Sequence, residues 1–230
     1  TGIRFLHFIT CINEGAKFSS RVPLAQCAYD TLKKLHFSLS VDWRIDTKFI
    51  KGHPVIFYAQ HPGYIEPLVC LAVLREFNPK VVSTGWVTNI SESVSKRIIA
   101  VPDSKEATRQ KLQRYKGLRK LIETIWANIL TFQVINYLQG DMTAIECKRR
   151  RRQAISDLIS ALGEKESILL FPSGGEGQKP WVGEHTVYFE KLMRIIISNQ
   201  RRIPELNDLR FVPLIMKGSL RALFKSQVMI

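Results

Sequence analysis

Short β-rich runs alternate with longer segments of helical periodicity along most of the chain, and that alternation constrains the fold more than any other feature. The segment AYDTLKKLHFSLS (28–40) spaces its apolar residues as a helix does. SVDWRI (40–45) follows as a strand that sets Val41, Trp43 and Ile45 against polar neighbours. The turn signal KGHP precedes VIFYAQ (55–60), a compact run of strand-forming residues, and EPLVCLAVLREF (66–77) is long enough for a helix. KVVSTGWVT (80–88) reads as a further strand. KLQRYKGLRKLIETIWANIL (111–130) is an amphipathic helix, with Leu118, Leu121, Ile122, Ile125 and Ile129 along one stripe and a basic opposite face. Beyond it FQVINYL (132–138) reads as a strand and RRRRQAISDLISALG (149–163) as a helix stopped by Gly163. SILLFPSGG (167–175) is a buried strand entering a glycine turn, TVYFEKLMRIIIS (186–198) a helix and RFVPLIM (210–216) an extended run.

This order predicts an α/β fold with a largely parallel central sheet and helices on both faces. No internal repeat or low-complexity linker divides the chain, so residues 1–230 are expected to form a single domain with a generous core. In such sheets ligands gather at the carboxyl ends of the strands, where the loops AQHPG (59–63) and FPSGGEG (171–177) would lie.

Charge narrows the partners. Lys and Arg number 34 against 20 Asp and Glu, a net charge of +14 with histidine neutral, and the resulting field concentrates polyanions around the protein. Phospholipid headgroups, an acidic carrier protein and nucleic acid all answer that description. Zinc-ligand spacing, RNP-like sequence and a KH-type loop do not accompany the charge, so nucleic acid is not the expected partner. The cysteines, Cys11, Cys27, Cys70 and Cys147, have no CxxC spacing. Cys70 stands in an apolar run, as a buried free thiol would, and a reducing cytosol is the expected compartment. The longest apolar runs, such as FLHFIT and PLVCLAVL, fall far short of the roughly 18 to 20 residues that cross a bilayer, so no transmembrane helix is expected. A removed signal, an anchor or a further domain beyond either end is compatible with a chain that begins at Thr1.

The first loop holds an H-x4-E pair, His61 and Glu66. If His61 ends the strand and Pro62 opens the helix, proline costs little there, because a first-turn residue has no intrahelical use for its N–H. Five steps at 3.6 residues per turn rotate about 500°, so the two side chains meet only if His61 precedes the helix. In that geometry the carboxylate accepts a hydrogen bond from one imidazole nitrogen and fixes the tautomer. The other nitrogen is then left to take a proton from a hydroxyl. The plainer alternative has His61 capping the helix and Glu66 solvated in its first turn, where the helix dipole favours a negative charge.

Taken in order, VIFYAQHPGYIEPLV, SILLFPSGGEG and RFVPLIMKG resemble the motif series of the glycerolipid acyltransferases, the family that includes the lysophosphatidic acid acyltransferases. There a strand leads into N-H-x4-D, a later strand into F-P-E-G-T-R-S, and a V-P strand follows. The likeness runs from about Tyr29 to Lys217. It implies a glycerol-3-phosphate acyltransferase-like fold and an O-acyltransferase that moves a fatty acyl chain from acyl-CoA or acyl carrier protein to a hydroxyl of a lysophospholipid or related glycerolipid. By this resemblance His61 is the general base, Glu66 orients it and supports the developing imidazolium, and no covalent acyl-enzyme forms. The thioester is a co-substrate, and neither a metal nor another cofactor is implied. Gly63, Phe171, Pro172, Ser173, Gly174, Gly175 and Glu176 would border the substrates, with the glycine backbone offering N–H groups to an anion. Glu66 stands for the family's aspartate, as in lipid A type acyltransferases, and Gln60 for its asparagine. Ser173 replaces Glu, Gly175 replaces Thr and Glu176 replaces Arg. With an acid at 176, Lys179 is the cation that would compensate at an acceptor phosphate. The resemblance also implies phospholipid biosynthesis at an anionic membrane surface, with the protein held peripherally on the cytoplasmic side.

Other readings use the same residues differently. An acyltransferase-like domain that binds lipid without catalysis would fit the altered second motif, and a basic nucleic-acid-binding protein would fit the charge. Ser173 as nucleophile, with His61 and Glu66, would make a serine hydrolase, but the G-x-S-x-G elbow is absent. GGEGQKP lacks the GK[ST] ending of a P-loop. KRRRR (148–152) reads as the solvated start of a helix, or as a contact for membrane phosphate or a carrier protein. Cations at a helix N-terminus oppose the dipole and hint at a bound anion. Lys111, Arg114, Lys116, Arg119 and Lys120 either keep their charges in water over a stripe packed on the core or lie on anionic lipid. His7, His36, His53 and His185 stand alone, as packing or surface residues do.

Overall fold

The computed structural model describes residues 22–59, 66–89, 91–102, 109, 112–113, 115–126, 142–172, 187–216 and 227–229. Their elements run α1 (Leu24–Lys34), β1 (Ser38–Ser40), α2 (Thr47–Ile50), β2 (Val55–Ala59), α3 (Glu66–Val73), β3 (Lys80–Thr84), a 3-10 turn (Gly85–Asn89), α4 (Glu92–Lys96) and β4 (Ile98–Val101). They continue with α5 (Gly117–Trp126), α6 (Ala144–Gly163), β5 (Ser167–Leu170), α7 (Val187–Asn199), a second 3-10 turn (Pro204–Asp208), β6 (Arg210–Leu214) and β7 (Gln227–Met229). Five strands make one all-parallel sheet in the order β4-β3-β5-β2-β6, while β1 and β7 pair in parallel separately. The α/β fold with a parallel central sheet is as the alternation predicts.

The central strands read as unbroken apolar runs because they are covered on both faces. Val55, Phe57 and Ala59 of β2 and Leu169 of β5 face a core completed by Ala28 and Leu32 of α1 and Val69 and Cys70 of α3. Ile56, Ile168 and Leu170 face the opposite core, against Leu158 and Leu162 of α6 and Ile196 of α7. Each fully buried aliphatic or aromatic side chain here, Phe57 and Leu169 among them, contributes about 1.5–3 kcal/mol. Phe57 also meets Phe77 at 5.0 Å between centroids and 58° between planes, a tilted pairing that suits the ring quadrupoles.

Connectivity explains the division of helices. The β2–α3–β3 unit steps one way along the sheet, and the β4–α6–β5 and β5–α7–β6 units step the other way. Right-handed crossovers that step in opposite directions must lay their helices on opposite faces, which is how the two cores are built. Pro213 has no N–H for a ladder and stands on β6, the edge of the sheet, where that lack is tolerated.

Helix ends are set by local chemistry. The side chains of Asp46, Ser91 and Thr143 accept hydrogen bonds from the backbone N–H of Lys48, Val94 and Glu146 and cap α2, α4 and α6. At the other end of α6, Lys165 N–H bonds to the Leu162 carbonyl and Glu166 N–H to that of Ala161, with Lys165 at φ 60°. At the end of α1, His36 at φ 58° does the same. These are Schellman closures in which a histidine and a lysine take the left-handed position usually given to glycine.

Several expectations are corrected. SVDWRI is not a strand: β1 ends at Ser40, Val41, Trp43 and Ile45 are exposed, and no strand among the described residues pairs with that run. The first helix stops at Lys34 instead of reaching Ser40. The helix expected from Lys111 is not continuous: Leu112 and Gln113 are helical, Tyr115 and Lys116 are not, and α5 starts at Gly117, whose φ of 55° breaks the regular path. KRRRR lies inside α6, not at its start, and the first turn carries Glu146, so the argument from opposed dipole charges lapses. KVVSTGWVT is strand only to Thr84. FQVINYL and Ile129 lie outside the described residues.

Candidate active site

The three strands that carry the quoted motifs are neighbours. β2 sits between β5 and β6, with Tyr58 in register with Leu170 on one side and with Pro213 on the other. All run parallel, so the chain leaves all three at one edge and at one level. Neighbouring strands are about 4.8 Å apart, a spacing at which side chains from adjacent strand ends reach one another.

Glu66, at the start of α3, is the described member of the H-x4-E pair. It is only 1% exposed, and the solvated first-turn acid of the plainer alternative is therefore excluded. Its position gains from the helix dipole, which favours a carboxylate in the first turn. One turn on, Cys70 is fully buried, and its thiol is held well above the ordinary range, first by desolvation and then by the Glu66 charge. Cys70 Sγ lies 3.7 Å from Met216 Sδ, just beyond β6, so α3 is anchored where β6 ends. The free thiol expected at Cys70 is observed, and Cys27 and Cys147 are likewise free and buried.

Of the second motif, Phe171 is buried and continues the core beneath the edge, and Pro172 is half-buried beside it. His61, Gly63, Ser173, Gly174, Gly175, Glu176 and Lys179 lie outside the described residues, as do Gln60, Pro62, His7 and His185. His36 is an exposed helix terminator, and His53 is a partly exposed residue of the turn before β2. No group of three or more potential metal ligands occurs among the described residues, and no described helix is long and apolar enough to cross a membrane.

A contact that the sequence did not announce places the basic run on the same edge. Cys147 Sγ and Arg151 Nη2 both donate to the Pro102 carbonyl, each at 3.5 Å, just past the carboxyl end of β4. The only prior signal was the apolar IIAVP run, too short to read as a strand on its own. The amino edge holds a different arrangement. Glu166 accepts from Arg97 at 3.0 Å and pairs with Lys80 at 2.5 Å, tying together the starts of β5, β4 and β3. The recess of about 310 Å³ bordered by Arg97 and Glu166 therefore lies at the opposite end of the strands from Glu66.

No family model, curated protein or solved structure matches this chain.

Proposed function

We propose that the protein is a peripheral membrane O-acyltransferase that moves a fatty acyl chain from acyl-CoA or acyl carrier protein to a hydroxyl of a lysophospholipid or related glycerolipid. The single observation that carries this reading is the adjacency of β5, β2 and β6, since the three acyltransferase-like motifs leave neighbouring strands at one edge. In the proposed chemistry His61 takes the acceptor hydroxyl's proton as the oxygen attacks the thioester carbonyl. The carbon–sulfur bond breaks, and the thiolate leaves with that proton. A buried acid suits the role assigned to Glu66, because a carboxylate removed from water holds an imidazolium more firmly than a solvated one.

The purified chain is to be incubated in detergent with labelled acyl-CoA and lysophosphatidic acid. Label is expected in the diacyl phospholipid, and Ser173→Ala should retain transfer, lowered at most by the loss of one substrate contact, since no seryl intermediate is involved. Label appearing only as free fatty acid, with release abolished by Ser173→Ala, would establish a hydrolase instead.

A further inference from the structure

α5 turns an apolar face to solvent. Leu118, Leu121, Ile122 and Ile125, spaced i, i+3, i+4 and i+7, are 72, 57, 37 and 50% exposed. A stripe of this periodicity ordinarily packs on a core, yet no described element packs extensively against α5. Lys116 and Lys120 are exposed, and Lys120, within the helix, projects roughly opposite the stripe at about 100° per residue. Across residues 116–126 the sequence sets Lys116, Arg119 and Lys120 against one acid, Glu123.

α5 belongs to an excursion whose two ends meet at the carboxyl edge. The chain departs at Pro102, beyond β4, and returns at Thr143, where the Cys147 contact to the Pro102 carbonyl holds the ends together. Beside the return, α6 exposes Lys148, Arg149 and Arg152 around a shallow groove of about 570 Å³ that also includes Ile145, itself 83% exposed. None of these three cations has an acidic partner among the described residues.

We infer that α5 is an interfacial helix, which seats the face formed by Leu118, Leu121, Ile122 and Ile125 in an anionic phospholipid bilayer while the cations of α5 and α6 meet the headgroups. Buried apolar area and attraction to anionic lipid together set the strength of such binding. A second copy of this chain fits the same face poorly, because each molecule carries +14 and like-charged molecules repel. Docking of this kind would bring the protein to the source of a lipid acceptor, but it requires no turnover.

The test is flotation of the full chain with vesicles of phosphatidylcholine alone and of phosphatidylcholine containing one-third phosphatidylglycerol. Recruitment is expected on the anionic vesicles and should weaken with salt. Leu121→Glu with Ile125→Glu, both at exposed positions, should lower it at least tenfold, roughly the least expected from placing two charges in an interfacial apolar face. Leu118→Glu alone repeats the test at the most exposed position, and Lys120→Gln should cost about fivefold. Wild-type failure to float, equal recruitment by both vesicles, or flotation unchanged in the glutamate variants would overturn the inference. So would a lipid-free dimer that Leu121→Glu with Ile125→Glu converts to monomer while flotation persists. His61→Ala should float like wild type, so this test and that of acyl transfer fail separately.

Discussion

At the scale of residues, Glu66 shows how far an acid's setting depends on chain that is distant in sequence. The H-x4-E spacing was legible, but an acid at a helix start is ordinarily solvated, and its burial is a property of the assembled domain. His61 and the FPSGGEG residues from Ser173 onward rest on their motifs alone, since they lie outside the described residues. Cys70 offers a direct check on this environment. Desolvation and the Glu66 charge raise its thiol from the ordinary 9.0, so the unfolded chain gives up that proton at lower pH than the folded one. Linkage then makes folding stability fall as pH rises through about 9, continuing until the folded thiol titrates. Urea midpoints measured at about pH 8 and about pH 10 should differ, and Cys70→Ala should shrink the difference. An equal drop in the variant would mean that the buried thiol is not its source.

Among the elements, β2, β5, α6 and α7 were legible because continuous apolar runs and 3.6-residue periodicity report burial directly. SVDWRI had the alternation of a strand, but no described strand pairs with it, and periodicity cannot supply a partner edge. The ends of α1 and α6 were harder to read because the residues at left-handed φ there are His36 and Lys165, neither of which is a stop signal. The α6 terminus gives a prediction at this scale. The left-handed conformation costs an L side chain about 1 kcal/mol or more, so Lys165→Gly should stabilise the protein by about 1 kcal/mol in urea unfolding. Destabilisation by the glycine variant would mean that the lysine side chain contributes more than its backbone conformation costs. Amphipathicity in α5 was equally plain, but not what covers its apolar face, since a periodic stripe looks the same against a core or against lipid.

For the whole molecule, the strand order matters most and was least accessible. VIFYAQ and SILLFPSGG are separated by more than a hundred residues of sequence, and the rules for α/β sheets admit many orders. The order β4-β3-β5-β2-β6 puts the three motif strands side by side at one edge. The basic stretch of α6 adjoins that edge through Pro102. In the proposed function, the charge of +14 draws an anionic donor and an anionic surface to the protein. The most direct measurement of the central claim is the initial rate of acyl transfer from thioester to lysophospholipid, compared in wild type and His61→Ala at equal thermal stability. Loss of a positioned base should lower that rate by about 10²- to 10⁴-fold, whereas equal rates in the two proteins would contradict the assignment.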